Sequence, residues 1–200
     1  MIALVDYGVG NLRSVEKAFM TVGANAMLTS DREAIRTAEK VVLPGVGAFG
    51  DGMAGLRERG LVEPLLEFAA QQKPLLGICL GMELLFEESD ELGNFEGLGL
   101  LRGKVRRFEL EALKVPHTGW NQLQPTGAHR LLEGLPAGAY AYFNHGYYCA
   151  AAEEDTLAYT EYGIRYGSVV GKGQLFGVQF HPEKSQQVGL TILRNFSELA

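Results

Sequence analysis

Cysteine is scarce in this chain: two residues in 200, Cys79 and Cys149, are too few for a disulfide-stapled scaffold and fit a reducing compartment. Neither lies in a Cys-x-x-Cys or Cys-x-His neighbourhood, so no metal or cofactor is expected, and Cys149 reads as structural. Basic runs are missing as well. With 18 Lys and Arg against 24 Asp and Glu the net charge is −6, which argues against nucleic acid as a partner. No apolar stretch approaches the roughly 18 to 20 residues that span a bilayer. The N-terminus, Met1-Ile2-Ala3-Leu4-Val5-Asp6, has neither a basic n-region nor a small-residue cleavage site. These absences predict a soluble, cytoplasmic chain with no membrane partner. Tryptophan occurs once, at Trp120, where core packing is the default reading. Linkers, repeats and low-complexity tracts are lacking too, so residues 1–200 are expected to form one domain. A hydrophobic share of 46% is enough for a substantial core and a shaped pocket.

Strand and helix signals alternate along the first half. Ile2 to Val5 reads as a strand, and Asn11 then caps a helix to about Val22, with Gly23 as its stop. Ala26 to Leu28 is a second strand, and Ser30-x-x-Glu33 reads as a capping box. Val41 to Leu43 is a third strand, followed by helical patterns over 51–57 and 61–72. Pro74-Leu75-Leu76 is a short buried strand, and Met82 to Phe86 begins a helix. This βαβα order predicts an α/β fold with a central, mostly parallel sheet flanked by helices. From Leu98 the texture changes to short strand-like runs: 98–101, 104–108, 140–143, 156–162 and 167–170. These are expected as antiparallel additions that make the sheet mixed. A last helix, about Gln187 to Leu199, packs back on the core.

Between the fourth strand and its helix lies Gly77-Ile78-Cys79-Leu80-Gly81. Glycine on both sides of a sharp strand-to-helix turn removes the Cβ atoms that would clash there and leaves the Cys79 thiol at a helix N-terminus, a nucleophile elbow. The helix N-terminus is expected to lower the thiol pKa, and the Leu80 N–H is placed to donate to an oxyanion. A buried, inert cysteine in a tight βα turn is the plain alternative. A second motif shifts the balance. The core-like strand 173–180 ends in His181-Pro182-Glu183, and in an extended chain residues i and i+2 project to one side. A nucleophilic Cys needs a base, and the base needs an orienting acceptor. Cys79, His181 and Glu183 supply the three roles.

Gly77-Ile78-Cys79-Leu80-Gly81-Met82 together with Phe180-His181-Pro182-Glu183 resembles the class I, triad-type glutamine amidotransferases over essentially the whole chain. Four further stretches are similar to the glutaminase subunits of imidazole glycerol phosphate synthases. They are Asp6 to Leu12, Pro44 to Phe49, His117 to Asn121 and His181 to Ser185. The resemblance implies hydrolysis of L-glutamine to glutamate and ammonia through a Cys79 thioester. It further implies a heterodimer with a (β/α)8-barrel cyclase subunit that takes the ammonia in histidine biosynthesis. A partner is expected on chemical grounds too, because ammonia released into water becomes mostly ammonium, which is not a nucleophile. The resemblance implies Val46 N–H as a second oxyanion donor, with glycines on either side making a peptide reorientation easy. It sets Gly47, Glu83, Gly146 and Tyr147 near the substrate. Trp120, in Gly119-Trp120-Asn121, and Lys184 fall on the face that meets the cyclase.

Two positions depart from the family pattern. Glu83 stands where Gln is usual, adding negative charge near a cysteine that works as a thiolate. Asn144-His145-Gly146-Tyr147 replaces a Val-His-Ser/Thr-Tyr pattern, and His145 is then an alternative base, although Glu183 favours His181. A glutaminase subunit for anthranilate or pyridoxal phosphate synthesis is the nearest alternative function. A catalytically silent regulatory module on the same fold is another, and the intact triad weighs against it.

Overall fold

The computed structural model describes residues 1–199. The first half runs β1 (Ile2–Val5), α1 (Leu12–Thr21), β2 (Ala26–Thr29), α2 (Arg32–Thr37), β3 (Lys40–Gly45), α3 (Phe49–Glu58), α4 (Val62–Ala70), β4 (Leu75–Cys79) and α5 (Leu80–Glu83). The second half adds β5 (Glu88–Ser89), β6 (Phe95–Glu96), β7 (Gly103–Arg107), β8 (His117–Gln122), β9 (Gln124–Pro125), β10 (Tyr140–His145) and β11 (Tyr147–Ala151). It ends with β12 (Thr156–Tyr162), β13 (Ile164–Lys172), β14 (Leu175–Val178) and α6 (Gln186–Glu198).

Among the described residues the main sheet has eight strands in the order β2-β1-β3-β4-β14-β13-β12-β9. β2 through β14 are parallel, and β13, β12 and β9 continue antiparallel, so the sheet is mixed as expected. Its central strands β1, β3 and β4 are buried on both faces because helices cover both. In β1, Ile2 and Leu4 join a core with α1 and α6, whereas Ala3 and Val5 face a second core built with α2, α3 and α4. The runs at 104–108 and 140–143 do not extend this sheet. β7 pairs with β11 in a small sheet of β11-β7-β5-β6, and β10 pairs with β8.

Three local expectations are corrected. Asp31, not Ser30, caps α2, accepting the Ala34 N–H at 2.7 Å, and Glu33 is drawn away from a capping box by Arg36 Nη1 at 2.8 Å. Asn11 holds the N-cap position of α1 without a side-chain bond. Residues 98–101 are not a strand. The N–H groups of Leu98, Leu100 and Leu101 go to the carbonyls of Leu84 and Leu85 at 2.9 Å and that of Gly99 to Phe86 at 3.1 Å, and Leu98 and Leu101 are buried there. The same contact shortens the elbow helix. α5 is one turn long and tightens through Leu85 N–H to Met82 and Phe86 N–H to Glu83.

Candidate active site

The carboxyl ends of β3, β4 and β14 converge, and the site is built there. In register, Gly45 of β3 lies opposite Cys79, and Val178 of β14 opposite Ile78. Cys79 is the last residue of β4 and holds φ +53°, ψ −114°, a conformation that non-glycine residues occupy only under strain. The flanking glycines are required by close approach. A Cβ on Gly77 would stand 2.6 Å from the Gly81 carbonyl oxygen and the Met82 nitrogen, and one on Gly81 would stand 1.7 Å from the Leu43 carbonyl oxygen.

Cys79 is 6% exposed. Burial pushes its pKa up, the nearby Glu83 carboxyl pushes it further, and the Leu80 N–H acts in the opposite direction. The net shift is upward, contrary to the expected lowering. A single helical turn contributes little field, and the desolvation of a buried thiolate outweighs it.

β14 stops at Val178, and the chain passes through Gln179 and Phe180 to His181, which lines the same cleft as Cys79. His181 and Glu183 do not lie along an extended chain. Pro182–Lys184 form a 3₁₀ turn, which brings Glu183 Oε1 to His181 Nδ1 at 3.0 Å. Both side chains are buried, and Glu183 Oε2 has no hydrogen-bond partner.

The cleft encloses about 230 Å³, and its walls include Val46, Gly47, Leu80, Glu83, Gly146 and Tyr147. The Pro44–Gly47 segment is less free than its two glycines suggest. A Cβ on Gly45 would meet the Tyr7 hydroxyl at 2.2 Å, so that glycine serves packing. Gly47, at φ +115° with open space around its Cα, is the side on which the segment can turn. Glu83 is buried, and its Oε1 accepts from Gln179 Nε2 at 2.8 Å. Burial raises its pKa to about 8 against the opposing Gln179 bond, and Glu91 raises it further. Cys149, fully buried in β11, directs its Sγ at Gln179 Oε1 over 3.8 Å, a structural position as expected.

Glu91 also lines the cleft, and sequence reasoning missed it: it sits at the end of an acidic stretch that reads as solvated surface. Its Oε2 accepts the Phe49 N–H at 2.7 Å, and burial raises its pKa. His117 and His145 form a second buried network, and His145 also lines the cleft. His145 Nδ1 lies 2.6 Å from the Tyr147 carbonyl, so it carries the proton and donates. His145 Nε2 is then an acceptor, facing His117 Nδ1 at 3.2 Å and Tyr166 Oη at 3.1 Å. His117 Nε2 accepts from Asn121 Nδ2 at 3.3 Å. Burial lowers the pKa of His117 to about 4 and that of His145 to about 3. With both nitrogens engaged and basicity this low, His145 is poorly suited to act as a base.

Trp120 and Lys184 lie elsewhere. Trp120 is 47% exposed, which overturns the core-packing reading. Its ring meets Tyr142 edge-on at 6.1 Å, and Lys184 Nζ sits 5.8 Å from the centre of the same Tyr142 ring. The two residues therefore share one outer face. Among the described residues, no group of three or more His, Cys, Asp or Glu is arranged to hold a metal, and no helix is long and apolar enough to cross a membrane.

The family described as glutamine amidotransferase class-I matches residues 3–199. Imidazole glycerol phosphate synthase subunit HisH of Sulfurimonas denitrificans is 50% identical over 203 residues, covering 99% of this chain and 98% of that protein. The subunit of the same name from Desulfitobacterium hafniense is 48% identical, covering 99% and 94%. Among solved structures, a glutamine amidotransferase superposes with a TM-score of 0.78 at 20% identity over the full length of both chains. PurLQS from Thermotoga maritima gives 0.76 at 17% identity, covering 98% of this chain and 96% of that one. These two likenesses concern the fold alone. With a family match across nearly its whole length and relatives at half identity, the chain belongs to the class I glutamine amidotransferases.

Proposed function

We propose that this chain hydrolyses L-glutamine to L-glutamate and ammonia as the glutaminase subunit of imidazole glycerol phosphate synthase, in histidine biosynthesis. The name shared by relatives at 48–50% identity supports the assignment to that synthase. The chemistry rests on one observation: a strained Cys79 at a strand end opens into the same cleft as His181, whose far nitrogen is held by Glu183 at 3.0 Å.

The chain of steps follows from those positions. Burial keeps the Cys79 thiol protonated at rest, so attack requires the proton to leave in step with C–S bond formation. With its Nδ1 proton directed to Glu183, His181 Nε2 is free to take the thiol proton and to return it to the departing amide nitrogen. Ammonia leaves and a thioester remains. A water then gives its proton to His181 and its oxygen to the acyl carbon, the C–S bond breaks, the departing sulfur takes that proton back from His181, and glutamate is released. The Leu80 N–H and, after a turn of the segment at Gly47, the Val46 N–H serve the oxyanion. Each such donor is worth about 10² to 10³ in rate. Glu91 offers the α-ammonium of glutamine a carboxylate, the Glu83 carboxyl near it offers a hydrogen-bond acceptor, and Gly146 and Tyr147 complete the lining.

Ammonia is useful only if it is captured before protonation, so the product passes to a separate (β/α)8-barrel cyclase subunit. The Trp120, Tyr142 and Lys184 face suits that contact: an exposed tryptophan set against a half-buried tyrosine beside a cation is a typical interface centre. Such a complex operates in the cytoplasm. The test is glutamate release by the purified chain with and without the barrel cyclase, together with their co-purification. No glutamine turnover in the complex sinks the proposal.

A further inference from the structure

Ser185 occupies the N-cap of α6, where a serine ordinarily turns its side-chain oxygen toward the free N–H groups of its own helix. Ser185 makes no such bond. Its hydroxyl is turned away from the helix, in a residue only 1% exposed. There it donates to the His181 carbonyl at 2.6 Å and accepts the backbone N–H of Tyr142 at 2.9 Å. The His181 N–H in turn donates to the Tyr142 carbonyl at 2.9 Å. Both main-chain polar groups of His181 are therefore tied to one residue of β10, one of them directly and the other through Ser185.

His181 needs an anchor of this kind. It lies three residues beyond the end of β14, outside the sheet ladder, and is followed by a single 3₁₀ turn. Glu183 holds the ring at Nδ1, but Glu183 belongs to that same turn and moves with it. Beside the direct bond from the His181 N–H to Tyr142, Ser185 supplies the side-chain tie between the turn and a strand of a different sheet.

We propose that Ser185 is a positioning residue for the His181 base: its hydroxyl fixes the His181 main chain to β10 and so sets the imidazole against Cys79. This rests on the reading of His181 as the base of the glutaminase reaction. A displacement of about 1 Å in a reacting group can lower a rate by about 10². Ser185 does not itself line the cleft, so the residues assigned to the substrate are left in place.

The test uses Ser185→Ala and Ser185→Cys in the full chain, assayed in complex with the barrel cyclase. Cysteine keeps the volume but bonds weakly. The expected result is a kcat lower by about 10² with KM unchanged in both variants. In the proton spectrum of the histidine-labelled chain, the Nδ1–H signal of His181 should broaden or disappear, because the ring no longer holds its geometry with Glu183. Thermal melts establish that each variant is folded. A folded variant with wild-type kcat and an unchanged Nδ1–H signal overturns the proposal, even if its melting temperature has dropped, since that is the signature of a purely structural serine. If neither variant folds, the hydroxyl is a structural group and the proposal falls. Should the wild-type complex fail to turn over glutamine, the functional reading fails, while the His181 signal still decides whether Ser185 positions the ring.

Discussion

Replacing Glu83 by Gln exchanges a buried carboxyl for an amide of nearly the same shape, and the bond from Gln179 survives because the new side chain still offers an oxygen at Oε1. What changes is proton uptake. Glu83 titrates near 8 in the folded chain, above the ordinary value of 4.5, and burial is the main cause. A carboxyl raised in this way binds its proton more tightly folded than unfolded. Stability is therefore lost as pH rises from the unfolded value through the folded one, by up to about 1.4 kcal/mol per pH unit. The interval between 4.5 and about 8 spans some three and a half units, so roughly 3 to 5 kcal/mol is the ceiling by pH 9. The variant has no such proton to lose. Its melting temperature should match the wild type at pH 5 and exceed it by about 10 °C at pH 9, taking 2 to 4 °C per kcal/mol for a chain of this size. Glu83 is also among the causes that raise the Cys79 pKa. A nearby like charge is worth about one to two pKa units, so above pH 8 the variant's thiol should alkylate about 10- to 100-fold faster than the wild-type thiol. Parallel melting curves across pH 5 to 9, with a constant difference between the two proteins, would refute the reasoning: Glu83 would then carry the same charge folded and unfolded.

Other expected outcomes can be checked separately. Cys79→Ala should abolish glutamine hydrolysis by several orders of magnitude in the cyclase complex while added ammonium salt still supports product formation, and near-wild-type glutamine use would exclude the nucleophile. His181→Ala should approach that loss and Glu183→Gln should fall short of it, whereas a larger effect from His145→Ala would mean that the wrong histidine carries the proton. Gly81→Ala should prevent folding or cost several kcal/mol in chemical denaturation, because its Cβ would stand 1.7 Å from the Leu43 carbonyl oxygen; a normal denaturation midpoint would contradict that contact. Turnover by the free chain should rise by about 10² to 10³ on adding ligand-bound cyclase if one oxyanion donor is gained at Val46, and equal turnover in the free chain, the complex and the ligand-bound complex would rule that switch out.

The unequal legibility of the sequence has a physical pattern. Strands β1, β3 and β4 are readable because parallel strands covered on both sides must be apolar without interruption, a property of the residues themselves. The elbow is readable for the same kind of reason: Gly77 and Gly81 answer backbone contacts made within a few residues of Cys79 or by its immediate neighbour strand. Residues 98–101 read as a strand because their apolar content is real, but their backbone partners are the carbonyls at the end of α5, which no local pattern announces. Glu91 was hidden in the same way, since only the fold carries the acidic stretch over Phe49 and into the cleft. The sign of the Cys79 shift was wrong because a helix start is visible in sequence and burial is not. That error bears on mechanism. A thiol lowered by a helix would stand ready as a thiolate and react with any electrophile that reached it. In the proposed mechanism, a thiol held protonated by burial reacts only when His181 takes its proton in step with attack, so its reactivity depends on where His181 is held. Hydrolysis is then restrained until the proton acceptor and oxyanion donors are aligned, which suits a subunit whose product is lost to water unless a partner is in place to receive it.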